Sequence, residues 1–227
     1  DYAVMALRSY MDKFFKFEKE RWEAPRLEYA MLDADDSNFV DEYTLTYAQQ
    51  SAMDPIGDEL EAFVAEMSAV LQANNGLDVY KKDSFHGKLV LFDFQSHLYA
   101  PLICLEKSNL KIQLSPVALN TDEMRFVDYL KAYVDNHAAE LVDKSLYLLR
   151  NKSKVGMGFF EAGNFYPDYI LWIDTPETQY ISFIDPKGLM HIRPDDPKIE
   201  FYKTIKELEA RLAPTADGKT VVLNSFI

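Results

Sequence analysis

Two carboxylates and a lysine stand out because they flank two neighbouring apolar segments. Asp168 opens the strand-like run Pro167–Ile173, and Asp185 and Lys187 close the next run, Gln179–Asp185. A short polar turn joins the runs and predicts a hairpin, in which the start of one strand lies beside the end of the next. Residues two apart in a strand share a face. We therefore expect the three charged groups to gather at one end of a sheet.

This combination of groups is suited to phosphate chemistry. Carboxylates provide the hard oxygen ligands that Mg²⁺ prefers, together with water and substrate phosphate. A lysine beside such an ion can lower the pKa of an attacking water or stabilise developing charge on phosphate. Gly188, which follows Lys187, would let the backbone turn sharply or approach a ligand closely. The pattern predicts a Mg²⁺ site, with Mn²⁺ as a substitute.

A third carboxylate, Glu123, lies in the first turn of a predicted helix that Thr121 caps and that reaches about Ala139. Its spacing to Phe126 and Val127 places it on the apolar, sheet-facing stripe. A carboxylate on that stripe is costly unless a partner or a metal compensates it. The alternative is an N-terminal glutamate that complements the helix dipole.

Other residues near these segments have weaker signals. Glu161 is a rival for the third carboxylate. His191, Arg150 and Lys152 could contact a phosphate, although solvated surface positions would also explain them.

Two aromatic residues precede Asp168. Phe165 and Tyr166 could stack on a base, although packing against a sheet explains them more simply. The segment Asp217–Thr220 ends like a P-loop, but position 213 is alanine where that motif needs glycine, so ATP binding is not expected in this chain.

The elements that must position these residues follow from periodicity and turn signals. Predicted helices are Asp1–Glu23, Pro55–Ala73 with Asp54 as its N-cap, Thr121–Ala139 and Ile199–Leu212. Predicted strands are Leu27–Leu32, Tyr43–Tyr47, Leu89–Phe94, Tyr99–Leu105, Leu110–Leu114, Ser145–Leu149, Met157–Phe160, Pro167–Ile173, Gln179–Asp185 and Val221–Phe226. The strands between 89 and 114 suggest an antiparallel meander. The pattern is typical of an α/β domain, with α+β as the alternative, in which helices flank a central mixed sheet. We expect residues 1–85 to form a helical and mixed connecting region and residues 86–227 the domain that carries the site.

Composition limits the possible classes of protein. Hydrophobic residues make up 48% of the 227 residues, which indicates a globular chain, and the single cysteine, Cys104, fits a buried thiol in a reducing cytoplasm. No apolar run approaches the roughly 20 residues that span a bilayer, so no membrane partner is expected. The net charge of −13 is unusual for a free-standing nucleic-acid binder. If the chain acts on nucleic acid, we therefore expect something else to hold the substrate.

The motif Pro167-Asp168 … Asp185-Pro186-Lys187 resembles the PD-(D/E)xK nuclease superfamily, in which a helix bearing Glu precedes a strand with Asp and a strand with (D/E)xK. The wider context resembles the C-terminal endonuclease region of restriction-type DEAD/DEAH-box helicases, including the type III restriction subunit. The resemblance covers roughly Leu98–Met190. The stretches that carry it are Leu98–Leu102, Ser115–Asn120, Tyr147–Asn151, Gly158–Asp168 and Phe183–Gly188.

The resemblance implies a restriction-endonuclease-like core. It also implies metal ligation by Glu123, Asp168, Asp185 and the backbone carbonyl of Pro186, and a catalytic role for Lys187. The expected function is a Mg²⁺-dependent DNA endonuclease domain of a larger ATP-dependent restriction or defence protein. Its partners would be double-stranded DNA, bound weakly by this piece alone, the helicase motor region of the same polypeptide, where ATP would bind, and a methyltransferase or specificity subunit. The alternative is a catalytically degenerate nuclease fold that serves as a structural or protein-interaction module.

Overall fold

The structure is a computed structural model. It describes residues 2–23, 38, 42–47, 57–58, 60–62, 64–65, 69, 79–85, 87–92, 102–105, 112–152, 165–186 and 197–227. The helices are α1 (Tyr2–Glu23), α2 (Thr121–Asn136) and α3 (Pro197–Glu209), with a 3₁₀ helix at Ala138–Leu141. The strands are β1 (Thr44–Tyr47), β2 (Val79–Phe85), β3 (Gly87–Phe92), β4 (Leu102–Leu105), β5 (Ile112–Ser115), β6 (Ser145–Arg150), β7 (Tyr169–Asp174), β8 (Thr178–Ile184) and β9 (Thr220–Phe226).

A four-stranded sheet with the order β6-β7-β8-β9 organises the C-terminal part of the chain. The pairs β6–β7 and β7–β8 are antiparallel, whereas β9 pairs in parallel with β8. The parallel pairing requires a crossover connection, and the segment that carries α3 provides it. The expectation of an α/β chain with a mixed sheet is confirmed.

Apolar side chains cover both faces of this sheet. On one face Tyr169 and Leu171 pack with Val127 of α2, and on the other Ile170 and Phe183 pack with the fully buried Phe201 of α3. The two sets alternate along β7, as the two-residue period of a strand requires. The helices therefore lie on opposite faces of the sheet, each contributing its own cluster of buried residues.

Two smaller sheets lie earlier in the chain. One is the antiparallel sheet β2-β3-β4, and the other pairs β1 with β5. The predicted meander is thus wrong in its third strand. Leu114 lies opposite Leu45 of β1 rather than beside β4, while the backbone at Cys104 bridges to Leu119. Non-local pairing of this kind leaves no trace in local periodicity. Cys104 is buried, as expected.

The helix ends differ in detail from the expectations. Asn120, not Thr121, caps α2, because its side chain accepts hydrogen bonds from the backbone N–H groups of Asp122 and Glu123. α2 ends at Asn136, before the expected Ala139. Among the described residues, no helix is long and apolar enough to span a membrane.

α1 confirms the first predicted helix. Its described large apolar side chains are each 49–68% exposed: Val4, Met5, Leu7, Tyr10, Met11, Phe14, Phe15 and Trp22. The predicted strands Leu27–Leu32 and Met157–Phe160 and most of the helix predicted at 54–73 lie outside the described residues. The predicted boundary after residue 85 falls at the end of β2, which pairs with β3, and the division into two regions stays a prediction.

Candidate functional site

The register of the β7–β8 hairpin places Asp168 opposite Asp185. The last pair in the ladder is Tyr169 with Ile184, so the next step outward brings the two aspartates across from each other. Hydrogen bonds continue the sheet one step beyond the strands. The N–H of Asn151 donates to the carbonyl of Asp168 and the N–H of Asp185 donates to the carbonyl of Phe226, both over 2.9 Å. Both aspartates therefore lie at the same end of the sheet.

Asp185 is buried and forms an ion pair with Lys198 in the first turn of α3. The two side chains are only 9% and 17% exposed, respectively. The ammonium of Lys198 also lies over the ring of Phe165, 4.7 Å from its centroid. Phe165 in turn packs edge-on against Phe201, so its role in the described structure is packing. Sequence patterns did not indicate Lys198, because its pairing with Asp185 bridges two elements.

Glu123 is 5% exposed and occupies the third position of a capping box. One of its carboxylate oxygens, Oε2, accepts from the backbone N–H of Asn120 and from Nη2 of Arg150, each over 3.0 Å. The carboxylate that was expected to need a partner on the apolar stripe therefore has Arg150 as its cation. Its position at the helix N-terminus also agrees with the dipole alternative, and metal ligation by Glu123 stays a prediction.

Arg150 is the last residue of β6, and its guanidinium donates hydrogen bonds to three acceptors. Besides Glu123, its guanidinium donates to the carbonyls of Val117 and, over 3.4 Å, Ala118. The side chain therefore joins the end of β6 to the segment that leads into α2. This network directs the described guanidinium toward acceptors of the protein, which weakens the expectation that it contacts phosphate.

Tyr169 is fully buried beside this network, with its ring 5.0 Å from that of Phe126. Its hydroxyl has no hydrogen-bond partner among the described residues. Burial raises the pKa of Tyr169 strongly, and the negative charges of Glu123 and Asp168 raise it further, whereas Arg150 opposes them. Charged groups of α2, of β6 and of the start of β7 therefore all affect the pKa of this phenol.

Hydrogen bonds of two buried asparagine side chains lie close to Asp168 in the chain or the sheet. The buried side chain of Asn151 donates from Nδ2 to the carbonyl of Pro167 over 2.9 Å. The backbone N–H of Lys152 donates to Oδ1 of the buried Asn38. The Asn151 contacts with Pro167 and Asp168 hold the segment before β7 against the end of β6, and Asp168 itself is half-buried there.

The donor groups agree in part with a hard divalent cation. Mg²⁺ commonly takes one or two carboxylates and keeps several waters, and Asp168 and Asp185 are carboxylates at one sheet end, with Pro186 directly after Asp185. Within the described ranges, however, no three His, Cys, Asp or Glu side chains form a group that could hold a metal ion. Glu123 belongs to α2, which packs on one face of the sheet, whereas Asp185 pairs with Lys198 of α3, which packs on the other face. A site for Mg²⁺ would therefore be built first on the two aspartates.

Three residues predicted for the site, Lys187, Glu161 and His191, lie outside the described residues. Tyr166 is described and is half-buried.

The comparisons with known proteins give no family. No family model, curated protein or solved structure matches the chain.

Proposed function

We propose that this chain is the nuclease domain of a larger ATP-dependent restriction or defence protein and that it hydrolyses phosphodiester bonds of DNA with Mg²⁺. The observation that carries the proposal is the position of Asp168 opposite Asp185, one residue beyond the last pair of the hairpin. Mg²⁺ is usually bound by one or two carboxylates together with water and substrate phosphate, and two carboxylates at one sheet end supply that number.

The order of elements supports the same proposal. α2 carries Glu123, β7 begins directly after Asp168, and β8 ends directly before Asp185. This is the order of helix, first strand and second strand that the sequence resemblance implies for a restriction-endonuclease-like core.

The roles of the residues follow from their chemistry. Asp168, Asp185 and the carbonyl of Pro186 would hold the ion, and Glu123 would complete or extend the site. A bound Mg²⁺ would neutralise charge on the phosphate and acidify a water. Lys187 lies two residues beyond Asp185. It would lower the pKa of the attacking water or stabilise the charge that develops on the phosphate.

The net charge of −13 fits a division of labour within the proposed protein. Affinity for DNA depends on neutralising phosphates with basic side chains. The motor region would therefore grip the DNA, and this domain would only cut it. In solution, the chain alone should bind random duplex DNA no tighter than about the micromolar range at physiological salt.

A specific observation favours a second candidate, a degenerate nuclease fold that serves as a structural or interaction module. Two of the three proposed carboxylate ligands already have a cation of the protein: Glu123 binds Arg150 and Asp185 binds Lys198. A fold that had lost its metal would keep such pairs, because a buried unpaired charge is costly.

Calorimetry with Mn²⁺ distinguishes the two candidates. The proposal expects binding by the wild-type chain, loss of that binding in Asp168→Ala, and unchanged binding in Asp143→Ala, a control at an exposed position before β6. Plasmid cleavage by the full-length protein should be lost in the same Asp168→Ala variant. If the wild-type chain binds no Mn²⁺ and the full-length protein leaves plasmid intact with Mg²⁺, the nuclease proposal is wrong and the structural module is favoured.

A further inference from the structure

Lys198 occupies a position that is electrostatically unfavourable unless it is compensated. It is the second residue of α3, where the positive end of the helix dipole disfavours a cation. Its ammonium is nevertheless mostly buried, in contact with Oδ2 of Asp185. Asp185 therefore compensates both the buried charge and its position at the helix N-terminus.

The surroundings of the pair fix it in place. The backbone of Asp185 is bonded to Phe226 of β9, and the ring of Phe165 lies 4.7 Å from the ammonium of Lys198. Phe165 is held by Phe201, a fully buried residue of the same helix as Lys198. Charges that are shielded from water in this way interact more strongly than charges on an exposed surface.

We propose that Lys198 is the resident counter-ion of Asp185 and competes with a divalent cation for that carboxylate, so that it lowers the affinity of the sheet end for the cation. The inference rests on the proposed function, because it assumes that Asp185 is a metal ligand. Its physical basis is that the fixed ammonium would repel a divalent cation at the same carboxylate. Lys198 thus acts through Asp185 as a positioning residue that sets metal affinity.

The sign of the effect separates this role from a merely structural one. Removing a structural lysine loosens the site and weakens metal binding, whereas removing a competing cation strengthens it. Lys198→Gln keeps a hydrogen-bond donor for Asp185 while it removes the charge. Lys198→Met removes both, and if that variant does not fold, Lys198→Gln carries the test alone. The matched control is Lys203→Gln, which removes an exposed charge on the same helix that pairs with Glu200.

The experiment is calorimetric titration of Mn²⁺ alone into the wild-type chain and the variants, with thermal melting in the absence and presence of Mn²⁺. Lys198→Gln should bind Mn²⁺ at least about threefold more tightly than wild type, and Mn²⁺ should raise its melting temperature by more. Lys203→Gln should match wild type. Asp185→Asn should lose the binding.

The possible failures are distinguishable. If wild type binds Mn²⁺ through Asp185 and Lys198→Gln binds it equally or more weakly, the counter-ion role is wrong while the metal site stands. If wild type binds no Mn²⁺, or if Asp185→Asn binds as wild type does, both the counter-ion role and the proposed metal site are overturned.

Discussion

The guanidinium of Arg150 binds the carboxylate of Glu123 over 3.0 Å and thereby ties the last residue of β6 to the first turn of α2. The contact is mostly buried, because the two side chains are 24% and 7% exposed. It also connects two elements that both contribute to the candidate site, so its loss affects the geometry there as well as stability.

Arg150→Met should lower the free energy of unfolding by about 3 kcal/mol, because it leaves the buried carboxylate of Glu123 without its cation. Urea denaturation of the purified chain measures the change. Arg125→Met is the control. Arg125 lies on α2, the helix that carries Glu123, and pairs with Asp122 on its exposed surface. It should change stability by no more than about 0.5 kcal/mol. Equal losses in the two variants would show that the buried pair is not important for stability.

Asn120→Ala should destabilise the chain by about 1 kcal/mol, because it removes the side chain that accepts from two backbone N–H groups at the start of α2. Thr121→Ala, at the next position, should have little effect, since Thr121 is exposed and makes no cap. The comparison uses thermal and urea unfolding of both variants. A larger loss in Thr121→Ala would mean that the cap has been assigned to the wrong residue.

Alkaline pH should destabilise the fold through two phenols, those of the fully buried Tyr169 and the partly buried Tyr43. Burial raises the pKa of Tyr169, and of Tyr43, above the usual value of 10.0. Below pH 10 the phenols are protonated in both the folded and the unfolded chain. Above it, only the unfolded chain loses the protons readily, so each such phenol lowers the free energy of unfolding by up to about 1.4 kcal/mol per pH unit.

Tyr169→Phe should therefore make the fall in stability between pH 10 and 11 less steep. At pH 7 the same variant should be as stable as wild type or more stable, because the hydroxyl lacks a hydrogen-bond partner among the described residues. Tyr129→Phe, at an exposed position of α2, is the control and should retain the steep fall. Urea unfolding at several pH values gives the slopes, and identical slopes in all three proteins would contradict the role of Tyr169.

Under the proposed nuclease function, Lys187→Ala should reduce DNA cleavage by the full-length protein by about two to three orders of magnitude, because it would remove a charged donor from the scissile phosphate. ATPase activity and the thermal melt should be unchanged. Lys144→Ala, at an exposed turn position before β6, should cleave as wild type does. Wild-type cleavage by Lys187→Ala would remove Lys187 from the mechanism, and loss of folding would indicate a structural role.

Local patterns predicted the elements around the site well, and pairings across the chain poorly. The β7–β8 hairpin follows from two apolar runs and a short turn, so the position of Asp168 relative to Asp185 could be expected from the sequence. The cap at Asn120 could also have been predicted, because Glu123 follows it at the spacing of a capping box. The neighbouring Thr121 is an equally suitable residue type for a cap, and the prediction chose it instead.

The cations that hold the carboxylates could not be predicted in the same way. Lys198 meets Asp185 only because α3 returns along the sheet, and Arg150 meets Glu123 only because α2 packs on the end of β6. Each pairing depends on tertiary packing rather than on spacing along one element. For the same reason, the sequence indicated that Glu123 needed a partner without indicating which residue would provide it.

The parallel pairing of β8 with β9 has a consequence for how the chain folds. Thr178 aligns with Thr220 and Ile184 with Phe226. This pairing joins residues far apart in sequence, whereas the β7–β8 hairpin joins residues that are close. Contacts between residues that are far apart in sequence form slowly, because the entropy of loop closure must be lost before they are made. Since the backbone N–H of Asp185 is bonded to Phe226, Asp185 should reach its final position only in the late, rate-limiting phase of folding, after the β7–β8 hairpin has already formed.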